Sequence, residues 1–169
     1  MTADRSQVRF YVDESALGLG KALEAARKDT IYCGHKLITE CPVGTADTTW
    51  IPIVANMGYV AIGRDKRVRT RENEVALIVA HGLRVFSIAP KRDLSTWEWL
   101  GIMMRNWDAM EGILIERPNG PWFYALSTSG PPKERQLTMA AASPVTGRGT
   151  RTWTGTTRPG VSAARAARL

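Results

Sequence analysis

The chain has 169 residues, of which 44% are hydrophobic, and it carries a formal net charge of +7. This length fits one domain with a short appendage, and the hydrophobic share is enough for a core, which excludes a globally disordered chain. No apolar run approaches the ~18 residues of a membrane-spanning helix, and the N-terminus lacks the apolar stretch of a secretory signal. Because only Cys33 and Cys41 are present, we expect a cytoplasmic protein without disulfides. The lack of a spanning run predicts no membrane partner.

Strand and helix patterns alternate along the chain. Short apolar runs predict five strands, at residues 8–12, 31–33, 59–63, 84–88 and 122–126. Apolar residues at helical spacing predict helices over 15–27, from about 47 to 58, from 70 or 71 to 82, and from 95 to 118. Gly112 leaves open an earlier end of the last helix, with a hairpin across 118–120. The alternation predicts an α/β fold, a three-layer α/β/α sandwich around a mainly parallel sheet.

The periodicity stops beyond about residue 137. Gly, Thr, Ala, Arg and Pro dominate there, and little apolar surface is available to offset the entropy of ordering. From Ser127 onward the chain carries seven cations and one acid, so most of the net charge lies in this part. We predict a domain over residues 1–138 and a disordered basic tail over 139–169, which is either an RNA contact or a solvated linker.

Acidic residues occur at comparable places in the predicted fold. Asp13 and Glu14 follow the first strand, Asp65 follows the third, and Asp47 starts the helix that leads into the third strand. Helix starts and the carboxyl ends of parallel strands share one edge of such a sheet, where ligands gather. A cluster of carboxylates suits Mg²⁺ or Mn²⁺ and can activate water for attack on a phosphodiester. Each acid could also be a simple turn or cap residue.

A group of cations lies beside the acid that follows the third strand. It consists of Arg64, Lys66, Arg67, Arg69 and Arg71. Cations next to an acid cluster suit a polyanionic substrate such as RNA, because they bind the phosphates while the acids hold a metal. The alternative is an ordinary solvated loop.

Three segments resemble a known family. They are Tyr-Val-Asp-Glu-Ser-Ala-Leu at 11–17, Asp-Thr-Thr-Trp-Ile-Pro-Ile-Val-Ala at 47–55, and Val-Ala-Ile-Gly-Arg-Asp-Lys-Arg-Val-Arg at 60–69. In order and spacing they resemble the PIN-like domain, and most closely that of VapC-type toxins of toxin–antitoxin pairs. The resemblance implies a metal-dependent endoribonuclease that holds Mg²⁺ or Mn²⁺ through Asp13, Asp47 and Asp65, and an antitoxin protein that blocks the site.

The chain departs from the family pattern at two places. Such domains commonly carry Thr or Ser two residues before the third acid, where this chain has Gly63. The fourth acid expected after the fourth strand is not obvious; Asp93 is the nearest candidate, and Glu14 could substitute.

Two other functions fit parts of the pattern. A phospho-acceptor receiver domain also has acids after its first and third strands and a hydroxyl at the fourth, here Ser87, but no Lys-Pro follows the fifth strand. A PIN-like domain that binds RNA without cutting it is the other alternative. The predicted last helix is rich in Trp and Met beyond one core-facing stripe, so its surplus could contact an antitoxin or a second copy of the chain.

Overall fold

The computed structural model describes residues 4–64, 71–89 and 93–137. These residues form one six-stranded sheet. Its strands are β1 Phe10–Val12, β2 Thr30–Tyr32, β3 Val60–Gly63, β4 Arg84–Ile88, β5 Trp122–Leu126 and β6 Lys133–Glu134. The order is β2-β1-β3-β4-β5-β6; the first five strands are parallel, and β6 pairs antiparallel with β5. The predicted α/β class with a mainly parallel sheet is confirmed.

The described residues also form four α-helices. They are α1 Leu17–Ala26, α2 Asp47–Asn56, α3 Glu72–His81 and α4 Thr96–Glu116. A 3₁₀ turn, Glu14–Ala16, precedes α1. None of these helices is both long enough and apolar enough to cross a lipid bilayer.

The last helix does not stop early. A capping box between Ser95 and Glu98 fixes the start of α4, and the helix runs through Gly112 to Glu116. A Cβ at Gly112 would meet nothing within 4 Å, so this glycine costs only its propensity, roughly 1 kcal/mol. The alternative of a hairpin across 118–120 is wrong, because the residues before it are helical up to Glu116 and α4 forms the crossover between the parallel strands β4 and β5.

Alternating strand residues face two cores, as in a three-layer sandwich. On one face Tyr11 and Ala61 pack with residues of α2 and α3 such as Val54. On the other face Phe10 and Ile62 pack with α1 and α4. The central strands β1 and β3 are therefore apolar on both sides, as expected for buried parallel strands.

The strand order places a crevice between β1 and β3. The chain passes from β1 to β2 through α1 and returns from β2 to β3 through α2, which lies on the opposite face. At such a switch point the connections leave in opposite directions, and a ligand site opens at the carboxyl ends of the two strands. The residues that follow these strands are Asp13 and Arg64.

Candidate functional site at the carboxyl edge of the sheet

Asp13 lies at the switch point, directly after β1. Its N–H donates to the carbonyl oxygen of Ile62 at 2.8 Å, which continues the pairing of β1 with β3. One carboxylate oxygen accepts the N–H of Ser15 at 3.1 Å and caps the 3₁₀ turn. Burial raises the pKa of Asp13, and the negative charge of Asp47 raises it further, against the hydrogen bonds that lower it. A carboxyl held this way is available as a ligand for a cation that would offset its charge.

A small cavity lies beside Asp13. Its volume is about 20 Å³, and its lining includes Asp13, Trp50, Gly63 and Ser87. This space holds about one water molecule, so a nucleotide cannot enter it. A polymeric substrate would have to approach the acids from the edge of the sheet.

Gly63 is not required by the space around it. A Cβ at this position would lie 3.5 Å from the Asp13 Cβ and 3.5 Å from the Ser15 Oγ, which is ordinary van der Waals contact. The glycine leaves room next to the Asp13 carboxylate, where a Ser or Thr would place a hydroxyl.

Asp47 is the first residue of α2 and is held by its own helix. Its Oδ1 accepts the indole N–H of Trp50 at 2.9 Å. The Trp50 ring stacks on Tyr11 of β1, with ring centroids 5.5 Å apart. Because Tyr11 stands two residues before Asp13, this contact fixes the start of α2 against the end of β1. Asp13 and Asp47 thus share the same edge, near enough for one charge to affect the other.

Glu74, on the first turn of α3, was not identified from the sequence. Its side chain is only 10% exposed. Oε1 accepts a hydrogen bond from Arg71 at 2.8 Å, whereas Oε2 is buried without a hydrogen-bond partner. Burial raises the pKa of Glu74, Arg71 lowers it, and the charge of Asp47 raises it again.

The sequence contains a signal for Glu74. It lies four residues before Ile78, which is buried in the core between α3 and the sheet, and hence on the same helical face. A carboxylate on the core-facing side of an amphipathic helix needs a positively charged group, a hydrogen-bond donor or a metal ion to offset its burial.

Arg71 links the two acids of α2 and α3. The same Nη1 lies 2.8 Å from Glu74 Oε1 and 3.4 Å from Asp47 Oδ2. The structure therefore shows this residue, predicted to bind phosphate, in contact with a predicted metal ligand.

The other predicted site residues that are described have contacts elsewhere. Glu14 Oε2 accepts the N–H of Gly44 at 2.7 Å and so fastens the loop between β2 and α2. Asp93 forms an ion pair with Arg64, and its carboxylate is 95% exposed. The Arg64 guanidinium also lies 5.6 Å from the centre of the Trp99 ring.

The remaining members of the predicted site, Asp65, Lys66, Arg67 and Arg69, lie outside the described residues. So do the predicted tail 139–169 and its boundary after residue 138. Within the ranges 4–64, 71–89 and 93–137, no three acid, His or Cys side chains are gathered to hold a metal ion. The donors that are present fit Mg²⁺ or Mn²⁺ in kind, since Asp13 and Asp47 offer only carboxylate oxygens and Glu74 has a buried oxygen without a partner.

One comparison with known proteins gives a match. Residues 8–90 match the family model of the PIN-like domain. The matched segment begins before β1 and ends after β4, so it contains the switch point together with Asp13, Asp47 and Glu74. The match indicates a nuclease-type fold. Neither a curated protein nor a solved structure shows significant similarity to the chain.

Proposed function

We propose that this protein is a metal-dependent endoribonuclease. The observation that carries the proposal is the position of Asp13. It ends β1 at the switch point of a PIN-like segment, is largely withdrawn from water, and has Asp47 as an acidic neighbour. Neighbouring carboxylates that are partly withdrawn from water repel each other and are costly unless a function requires them, and a cation is the usual compensation.

Asp13, Asp47 and Asp65 would hold Mg²⁺ or Mn²⁺, with Glu14 or Asp93 as the expected fourth acid. The cation would supply charge neutralisation at the scissile phosphate and help to activate water. Trp50 would keep Asp47 in one orientation through its hydrogen bond to Oδ1, which leaves Oδ2 directed to other partners. The small cavity beside Asp13 would admit water but not bases.

The substrate would be RNA, bound through its phosphates. Arg64, Lys66, Arg67, Arg69 and Arg71 would supply the positive charge beside the acids. Because phosphate contacts carry little sequence information, they would position the strand and leave target choice to other groups. Binding through them would weaken steeply with salt.

The more specific function that we propose is that of a cytoplasmic toxin of the VapC type, paired with an antitoxin protein. In support of a protein partner, α4 exposes large apolar side chains: Trp97, Met104 and Ile115 are between 77% and 80% exposed. A second copy of the chain is the other expected occupant of such a surface.

An RNA cleavage assay tests the proposal. End-labelled single-stranded RNA is incubated with the full chain in Mn²⁺, in Mg²⁺ and in EDTA. We expect cleavage that requires the cation and that falls by at least about a hundredfold in Asp13→Asn and Asp65→Asn, since each loses a metal ligand.

Asp108→Asn is the matched control. Asp108 lies on the exposed side of α4, so the same change of charge is made away from the site. Equal cleavage by wild type, Asp13→Asn and Asp65→Asn would refute the proposal. RNA binding that persists in EDTA, with no product under any condition, would favour a silent RNA-binding domain.

A phospho-acceptor receiver domain is the second candidate, and the strand order favours it. Receiver domains share the order 2-1-3-4-5 of the first five strands. Ser87 also lines the cavity beside Asp13. Incubation with a small phosphodonor separates the candidates: an acyl phosphate on Asp65, detected by mass spectrometry, would support the receiver and contradict the nuclease.

A further inference from the structure

Asp47 and Glu74 form an acidic pair on neighbouring helices, in which Glu74 is buried and Asp47 is partly buried. Asp47 opens α2 and Glu74 lies in the first turn of α3, and their side chains are 28% and 10% exposed. Both helices pack against the same face of the sheet and against one another. Two carboxylates held this close in a partly dry setting repel each other, so a positive charge is needed between them.

Arg71 supplies that charge in the present structure. One guanidinium nitrogen serves both acids, at 2.8 Å from Glu74 and 3.4 Å from Asp47. The Arg71 side chain is itself 46% exposed, so it enters the pair from the solvent side. Because Arg71 is nearly half exposed, water can solvate its guanidinium when it leaves this position, whereas the Glu74 carboxylate stays buried.

The arginine does not satisfy the pair completely. Glu74 Oε2 is buried and has no hydrogen-bond partner. A buried carboxylate oxygen without a partner costs free energy in the resting protein. A ligand that binds this oxygen would recover that free energy, and an oxygen-seeking divalent cation is such a ligand.

We propose that Glu74 is an additional ligand of the divalent-cation site, and that Arg71 occupies the Asp47–Glu74 pair until the cation displaces it. The inference rests on the proposed function, because Asp47 belongs to the predicted metal site. Arginine and cation compete for the same carboxylate oxygens. The displaced Arg71 is then released beside the site, where an RNA phosphate would bind it. Cation binding and substrate binding would thereby support each other.

Competition predicts opposite effects of two substitutions. Glu74→Gln removes a ligand charge, and we expect it to weaken Mn²⁺ binding by roughly tenfold or more. Arg71→Gln removes the competitor, and we expect it to strengthen Mn²⁺ binding severalfold. Arg71→Lys keeps a cation at the position, so its Mn²⁺ affinity should return toward that of wild type.

Mn²⁺ binding to the full chain is measured by electron paramagnetic resonance, without RNA, and the melting temperature is followed with and without Mn²⁺. In EDTA, Arg71→Gln should have a lower melting temperature than wild type, because Asp47 and Glu74 repel each other without the arginine. Saturating Mn²⁺ should remove most of this difference in melting temperature. A purely structural ion pair would lower the melting temperature equally in both conditions and leave Mn²⁺ affinity unchanged or weaker.

Arg117→Gln and Glu134→Gln are the matched controls. These residues form an ion pair of 2.6 Å between the end of α4 and β6, so the same charges are removed elsewhere on the protein. Neither control should alter Mn²⁺ affinity.

The outcomes separate this inference from the proposed function. Unchanged Mn²⁺ affinity in both Glu74→Gln and Arg71→Gln, or no Mn²⁺ binding by the wild type, would overturn the inference. Opposite shifts in affinity without any RNA cleavage would support the cation site and reject the nuclease. Mn²⁺-dependent RNA cleavage with no shift in the Mn²⁺ affinity of either variant would support the nuclease and reject the role of Glu74 and Arg71 at the cation site.

Discussion

Trp50 holds Asp47 across one turn of α2, with its indole N–H 2.9 Å from Oδ1. The same indole ring stacks on Tyr11, the middle residue of β1. One side chain therefore fixes both the orientation of a candidate ligand and the position of the helix that carries it. Because Trp50 is only 4% exposed, this hydrogen bond is largely shielded from water.

Replacement of Trp50 by Phe tests this relationship. Phe keeps an aromatic ring against Tyr11 but cannot donate to Asp47. We expect the free energy of unfolding to fall by about 1.5–3 kcal/mol, the usual range for a hydrogen bond to a charged group plus some loss of packing. Urea denaturation followed by circular dichroism measures the change.

Trp99→Phe provides the comparison for that result. The Trp99 indole nitrogen is buried without a hydrogen-bond partner, so this substitution removes ring volume but no hydrogen bond, and a Phe ring can still face the Arg64 guanidinium. It should cost less than Trp50→Phe. An equal or greater cost in Trp99→Phe would show that ring volume, and not the bond to Asp47, dominates.

The raised pKa of Asp13 predicts a dependence of stability on pH. Because burial raises the pKa in the folded state, the folded protein binds this proton more tightly than the unfolded chain does. The resulting stabilisation is fully present below the ordinary value of 3.8 and is lost as pH rises through the raised pKa. Asp13→Asn removes the charge but keeps an oxygen that can accept from Ser15.

We therefore expect Asp13→Asn to be more stable than wild type at neutral pH. The difference in unfolding free energy should shrink as pH is lowered and disappear below pH 3.8. Denaturant titrations of both proteins across this range, in EDTA, measure it. A difference that stays constant with pH would contradict the assignment of a raised pKa.

At Gly20 the backbone of α1 lies directly against the sheet. A Cβ there would lie 2.6 Å from the Tyr32 Cβ and 3.0 Å from the Val12 Cβ. Gly20→Ala should lower the unfolding free energy by about 1–3 kcal/mol, because the helix must move off β1 and β2. Chemical denaturation checks the value.

Gly101 is the matched glycine on α4. A Cβ there would meet nothing within 4 Å, so Gly101→Ala should stabilise the protein by roughly 1 kcal/mol through helix propensity. A neutral effect of Gly20→Ala would mean that α1 has more freedom than its packing indicates.

Periodicity predicted the fold from the sequence to within a few residues. β4 and β5 have the predicted bounds because both are apolar runs closed at each end by a clear break. β6 was missed because Lys133 and Glu134 are exposed and bury nothing. Its pairing depends on main-chain hydrogen bonds to β5, which leave no pattern in side-chain polarity.

The candidate site was less predictable than the fold. Asp13 and Asp47 could be placed at one edge because strand ends and helix starts meet there in any parallel α/β sheet. Glu74 could not be placed, because its role depends on how α2 and α3 pack side by side. Likewise, the ion pair of Arg64 with Asp93 joins two loops whose approach the sequence does not specify.

Gly63→Ser tests the departure from the family pattern at β3. The site has room for a small side chain, since a Cβ would make only ordinary contacts with Asp13 and Ser15. We expect a correctly folded variant whose stability changes by less than about 1 kcal/mol, as for Gly replacements that the backbone tolerates. The new hydroxyl would donate to the Asp13 carboxylate and favour its charged form, so the pKa of Asp13 should fall.

A carbon-detected NMR titration of the Asp13 carboxyl in wild type, Gly63→Ser and Gly63→Ala measures this effect. The Ala variant adds the same Cβ without the hydroxyl, so it should leave the Asp13 pKa raised or raise it slightly further through added burial. If the proposed nuclease function holds, the Ser variant should also cleave RNA faster than the Ala variant at mildly acidic pH, where more of its Asp13 is ionised. The same Asp13 pKa in both variants would mean that the hydroxyl does not reach the carboxylate, and that Gly63 has no electrostatic consequence for the site.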